Sequence, residues 1–147
     1  MATDAKLGYG SHLFMGDGGS PQNYFEIAGI RTPGEVGQAR ELKEITNLSS
    51  PDGSREYIGG MKDGKELTID ALFLPNDPGQ SFDYGLIDAM NSERLVSFRL
   101  ELTDDFGTLY FQAIVLSWAA NISANEPITA TFGIKISGPV TWQAATP

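Results

Sequence analysis

Residues 41–74 read ELKEITNLSSPDGSREYIGGMKDGKELTIDALFL, and the parsing of this stretch decides the fold. Its end is a strand. Leu67, Ile69, Ala71 and Phe73 fall on one face, with Glu66, Thr68 and Asp70 on the other. That two-residue alternation marks a sheet with one buried face. Its beginning is a weaker strand, in which Leu42 and Ile45 stand among polar neighbours. Between the two lie the nineteen residues Thr46–Gly64, which do not fit a tight hairpin. Pro51, Asp52, Gly53, Gly59, Gly60, Asp63 and Gly64 break regular structure, so the segment reads as a long loop.

Leu48, Tyr57, Ile58 and Met61 make this loop too apolar to be plainly solvated. Ordering its backbone costs about 20–40 kcal/mol. Offsetting that cost requires roughly 800–1,600 Å² of buried apolar surface. Its four large apolar side chains supply only about 600 Å². The reading is therefore a binding arm that orders against a partner, with an ordinary mobile insertion as the alternative.

Outward from this stretch the pattern stays mostly β. Tyr24, Phe25, Ile27 and Ile30 mark a first strand that ends near Pro33. Val96, Phe98, Leu100 and Leu102 alternate with polar residues up to a turn at Thr103–Gly107. Tyr110 to Trp118 returns, apolar on one face through Ile114, Leu116 and Trp118 and on the other through Phe111, Ala113 and Val115. Such a strand is expected to be covered on both faces. Ile128, Ala130, Phe132, Ile134 and Ile136 alternate strictly with Thr129, Thr131, Gly133, Lys135 and Ser137, the strongest strand signal in the chain. Val140–Gln143 is a short last strand. One helix is expected: Asn76 or Asp77 as N-cap, Pro78 in the first turn, a stripe of Phe82, Leu86, Ile87 and Met90, and an end near Asn91. The sum is a mainly β fold, an antiparallel sandwich or barrel of about seven strands with one flanking α-helix. The 147 residues read as a single domain. Residues 1–22, rich in Gly, Ser and Asp around Leu13, Phe14 and Met15, read either as an N-terminal arm or as a frayed terminus.

Composition narrows the chemistry. A net charge of −9 argues against a general nucleic-acid or anionic-membrane surface. With no cysteine, disulfides, thiolate metal sites and cysteine nucleophiles are excluded. MATDAKLGYG lacks the apolar core of a secretory signal, and no run approaches a membrane span. The expectation is a protein made in the cytoplasm without membrane contact. GDGGSP at 16–21 reads as a turn, because it lacks both the acidic spacing of a calcium loop and the lysine of a phosphate loop. His12 is the single histidine and reads as a surface residue; Asp104 and Asp105 belong to a turn. No catalytic residue, metal site or cofactor is implied. Trp118 reads as core, although with Trp142 it leaves a carbohydrate-binding module as an alternative; an acid hydrolase is a third reading.

EITNLSS, then REYIGGMKDGKELTIDALF, and the closing IKISGPVTW together resemble the tail tube (major tail) proteins of long non-contractile-tailed, lambda-like bacteriophages, over about Gly10 to Trp142. The resemblance implies a structural virion protein. Its subunits would form hexameric rings stacked into a tube through which viral DNA passes without specific binding. It implies homo-oligomerisation, a tape-measure protein in the lumen during assembly, and tail initiator (baseplate) and terminator proteins as partners. It also implies assembly in the host cytoplasm and residence in the virion tail. The inner tube of a contractile tail or secretion apparatus is the related alternative. On this reading Thr46–Gly64 is the inter-ring loop, with Leu48, Arg55, Glu56, Tyr57, Ile58 and Met61 as its contacts. An acidic lumen repels phosphates. Glu66, Asp70 and Glu101, each on the polar face of a strand, are the candidate lumen residues, and outward exposure to solvent is the alternative for them.

Overall fold

The computed structural model of the chain describes residues 11–18, 22–83, 85–103 and 106–144. The strands are β1 (His12–Gly16), β2 (Tyr24–Glu26), β3 (Ile30–Thr32), β4 (Gln38–Glu44), β5 (Tyr57–Gly64), β6 (Glu66–Leu72), β7 (Leu95–Glu101), β8 (Thr108–Asn121), β9 (Thr129–Ile136) and β10 (Thr141–Gln143). One α-helix, α1 (Leu86–Ser92), lies between β6 and β7 and packs against β8. The main sheet runs β2-β1-β7-β8-β9-β6-β3, with β10 paired to β8, and β4 and β5 form a separate two-stranded sheet. All pairings are antiparallel.

The two ends of the main sheet are one piece of chain. β2 and β3 stand at opposite ends of the strand order, yet only Ile27, Ala28 and Gly29 separate them. The Ile27 N–H donates to the Leu13 carbonyl at 3.0 Å on the β1 side, and the Gly29 carbonyl accepts from the Leu72 N–H at 2.8 Å on the β6 side. The sheet therefore closes on itself, and the sandwich-or-barrel expectation resolves as a closed barrel with few free edges. Gly29 makes the crossing at φ +80°, where an added Cβ would lie 2.8 Å from Leu74 Cδ1.

Two polar side chains stitch this seam. Gln80 is fully buried. Its Oε1 accepts from the Leu74 N–H at 2.9 Å, and its Nε2 donates to the Ala28 carbonyl at 2.8 Å and the Leu72 carbonyl at 2.9 Å. The Asp77 carboxylate accepts from the N–H groups of Ala28 at 3.1 Å and Gly79 at 3.0 Å. The amide thus pairs with three part-buried backbone groups at the seam.

The core follows from strand alternation. Leu13 and Met15, Leu67, Ile69 and Ala71, Val96, Phe98 and Leu100, Phe111, Ala113 and Val115, and Ala130, Phe132, Ile134 and Ile136 are buried with Leu86, Ile87 and Ala89 of α1. In β8 the register shifts between Val115 and Ser117. The shift carries Trp118 to the core side opposite Phe132, where it stacks on Phe73 at 6.1 Å and meets Phe82 edge-on at 5.6 Å. Trp118 thus parts from Ile114 and Leu116. Those two remain exposed, so β8 is not covered on both faces.

Several expectations are corrected. Residues 12–16, assigned to an N-terminal arm spanning 1–22, form β1 between β2 and β7; residues 1–10 and 19–21 lie outside those described. The helix begins at Leu86 rather than near Pro78, because residues 75–81 form the turns that place Asp77 and Gln80 at the seam. Thr46–Gly64 is not an irregular loop. Tyr57–Gly64 is strand β5, paired along its length with β4, and only residues 45–56 connect them. The backbone ladder to β4 supplies order that a balance of apolar burial against chain entropy does not contain.

Removing the Gln80 amide takes away three hydrogen bonds to part-buried backbone groups, at about 0.5–1.5 kcal/mol each. Gln80→Leu is expected to lower stability by about 2–4 kcal/mol in urea unfolding. A loss below ~1 kcal/mol would show that the seam does not depend on the amide.

Candidate functional site

The feature that stands apart from the barrel is the β4–β5 arm. β5 runs through Lys65 directly into β6, and the ladder continues across the junction. The Lys65 N–H donates to the Gly37 carbonyl at 3.0 Å, and the Lys65 carbonyl accepts from the Ile136 N–H at 3.2 Å. The Lys135 ammonium holds the same corner, donating to the Gly64 carbonyl at 2.6 Å and lying 3.2 Å from the Asp63 carboxylate. Gly64 is buried there because no side chain fits: an added Cβ would lie 2.5 Å from Ile136 Cγ2 and 2.8 Å from its carbonyl oxygen. From this corner the eight residues of β5 reach about 26 Å outward.

The arm is a twisted, bulged ribbon. Its register shifts between Arg40 and Leu42, and the Arg40 guanidinium donates to the Gly60 carbonyl at 2.9 Å. Its tip is held by short-range polar contacts. The Ile45 N–H donates to the Glu56 carbonyl at 2.9 Å, the Glu56 N–H to Thr46 Oγ1 at 2.8 Å, and the Ser49 N–H to Asn47 Oδ1 at 2.8 Å. A single 3-10 turn, Pro51–Gly53, completes it.

This arm collects all six residues expected to make contacts. Leu48 at the tip is 108% exposed and Met61 on β5 is 83% exposed. Tyr57 and Ile58 are about half exposed, on opposite faces of the ribbon, and Arg55 precedes them. Glu56 has a second task in holding the tip. Leu42 and Ile45, read from sequence as part of a weaker strand among polar neighbours, are exposed on the arm. The signal for them was the pairing of β4 with β5, which the Gly59–Gly60 pair and the bulge hide from an alternation search.

The three candidate acids do not form one group. Glu66 and Asp70 lie on the outer face of β6, opposite Lys135 and Thr131 of β9. Glu66 shares a cross-strand row with Lys135, Ile114 and Leu95. Glu101 lies on β7, with β8 and β9 between it and β6, and six residues beyond Leu95, about 20 Å along the strand. Its carboxylate is 3.4 Å from the Arg99 guanidinium, which sits over the Phe14 ring at 4.3 Å. His12 is exposed, and its Nδ1 lies 3.0 Å from the Glu26 carboxylate. Asp104 and Asp105 lie outside the described residues.

Charge is divided unevenly. Residues 35–65 carry five of the ten basic and six of the nineteen acidic residues, so the arm and its base are near neutral and the rest of the chain holds a net −8. Among the described residues no cluster of His, Asp and Glu is arranged to hold a metal. Among the described residues no helix is long and apolar enough to cross a membrane.

Residues 11–143 match the family model of the lambda phage tail tube protein. The chain belongs to that family. It is a structural tail tube protein, and tail tube proteins are part of the virion tail. Solved structures share its fold. The tail of an empty gene transfer agent particle, refined with C6 symmetry, is 19% identical over 95% of this chain and 100% of that one, with a TM-score of 0.75. The SPP1 tail tube is 11% identical over 96% of this chain and 80% of its own, with a TM-score of 0.68. The sheath–tube complex of an extracellular contractile injection system is 14% identical over 97% and 93%, with a TM-score of 0.67. None of the curated proteins compared with the chain matches it.

Gly64 fixes where the arm of this tail tube protein leaves the barrel. Gly64→Val is expected to cost about 1–3 kcal/mol through overpacking on Ile136. In an Ile136→Ala background the added cost of Gly64→Val should shrink only in part, because the Ile136 Cβ and carbonyl contacts remain. No added cost in thermal unfolding of that background would place the constraint in the Ile136 side chain beyond Cβ.

Proposed function

We propose that this tail tube protein forms hexameric rings which stack through the β4–β5 arm, and that the resulting channel carries viral DNA without binding it. The observation that supports this most is the arm: a ribbon that, among the described residues, is bonded to the barrel at its base alone, with Leu42, Leu48, Tyr57, Ile58 and Met61 exposed. An isolated two-stranded hairpin is marginal in water. A surface on a neighbouring subunit would cover its apolar side chains and fix it. The six-fold symmetry of the gene transfer agent tail, which has the same fold, is the basis for the ring number.

Glu66 and Asp70 are the lumen residues in this reading, since they share the outer face of β6. Repulsion between them and phosphates is screened beyond roughly 8 Å at physiological salt, so the effect is confined to the wall. Glu101 contributes less, because Arg99 neutralises part of its charge. Tape-measure, tail initiator and terminator proteins are the partners that would set tube length and ends, and assembly takes place in the host cytoplasm. The protein is not an enzyme in this reading.

Two outcomes check the proposal. Shortening the arm between Leu48 and Met61 is expected to give folded subunits that fail to build tubes, seen by electron microscopy with initiator present; tubes of normal length from that variant would refute the arm's role. Asp70→Lys should leave folding and tube formation intact and reduce DNA delivery. Normal infectivity of particles carrying it would remove Asp70 from the lumen wall.

A further inference from the structure

The arm leaves the barrel where β6 begins; a second apolar feature sits where β6 ends. Leu72 closes β6 in register with Thr129 of β9, which in turn faces Asn121 of β8. Around that end Leu72, Leu74, Ile122 and Ile128 are exposed, Ile122 at 76%. The Phe73 N–H donates to the Ile128 carbonyl at 2.9 Å and ties the two loops into one surface. From Ala119 to Thr131 the sequence AANISANEPITAT carries a single charge, Glu126. An apolar end with a single charge stands out on a body that holds a net −8.

We infer that this end, formed by Leu72, Leu74, Ile122 and Ile128, is the surface on which the arm of a second copy of the chain seats. The inference rests on the tube reading and adds the receiving half of the contact. Stacking identical rings in one direction is a heterologous contact, so it requires two different surfaces at opposite ends of the subunit. The arm is one. The apolar end of β6, β8 and β9 lies opposite it across the length of the barrel wall. The two also match in character: a near-neutral arm with apolar side chains meets a near-neutral apolar patch, while the acidic remainder of each body repels nonspecific contacts. A single such contact is small against the roughly 1,200 Å² of a stable interface. A ring makes the contact once per subunit, so rings bind where lone subunits do not.

The test exploits the absence of cysteine from the chain. An arm variant, Met61→Cys or Leu48→Cys, is mixed with Ile122→Cys, assembled on initiator complex and oxidised mildly. Disulfide-linked dimers are expected from the mixture and not from either variant alone. In parallel, Ile122→Asp with Ile128→Asp should retain the wild-type melting temperature while tube yield falls by roughly tenfold or more. Wild-type tube yield from that double variant, or intact tubes without cross-links in both mixtures, would overturn the assignment of the surface and leave the tube reading standing. Failure of the wild-type chain to build tubes with initiator would overturn both.

Discussion

The buried amide of Gln80 holds the point on which the rest of the structure depends. A sheet this strongly curved closes only if its two end strands meet, and here they meet within one segment, Tyr24–Thr32. The crossing at Ala28 and Gly29 exposes backbone groups that neither end strand can pair. Gln80 and Asp77 supply the missing partners from a single turn. Closure then removes most of the unpaired edges that would otherwise invite indiscriminate strand addition. What is left for association is the part of the chain that closure does not absorb, namely the arm and the loops at the barrel's ends.

This gives the subunit a division between a self-sufficient body and an incomplete appendage. The body buries aliphatic and aromatic side chains from five of the barrel strands and the helix in one core. The arm buries almost none, and its order rests on backbone pairing and on the contacts of Asn47, Thr46 and Glu56 at its tip. The charge distribution follows the same line, acidic on the body and balanced on the arm. In the proposed tube an acidic body would keep subunits and phosphates apart, while a balanced ribbon would approach another subunit without that penalty.

Much of the barrel was legible in the sequence because its strands have one wet face and one dry face. β6, β7 and β9 alternate cleanly and were placed within a residue or two of their observed ends. The misses have separate causes. β1 is short and set among glycines, so its alternation of Leu13 and Met15 with Phe14 looked like an isolated apolar island. β5 has no buried face, and without burial there is no periodicity to read. In PNDPGQS the cap-like residues belong to the seam; a polar residue such as Gln80 gives no sign of burial until its three backbone partners are brought together by the fold. At the candidate site the arm's exposed Leu48, Tyr57, Ile58 and Met61 were legible as apolar side chains in a breaker-rich segment. Glu101 was grouped with Glu66 and Asp70 because strand faces are visible in sequence while strand order is not.

The passage of β5 into β6 without a break has a mechanical meaning. An extended backbone hardly stretches, so tension applied to a seated arm is delivered at Lys65 into the barrel wall. There β6 lies between β3 and β9, with its ladder to β9 running from Glu66 to Leu72. A pull along the strand loads those bonds side by side, in shear, rather than peeling them one after another. The corner at Gly64, gripped by Ile136 and Lys135, is the natural pivot when the load is sideways. A tube built from such subunits would be stiff against extension and compliant in bending.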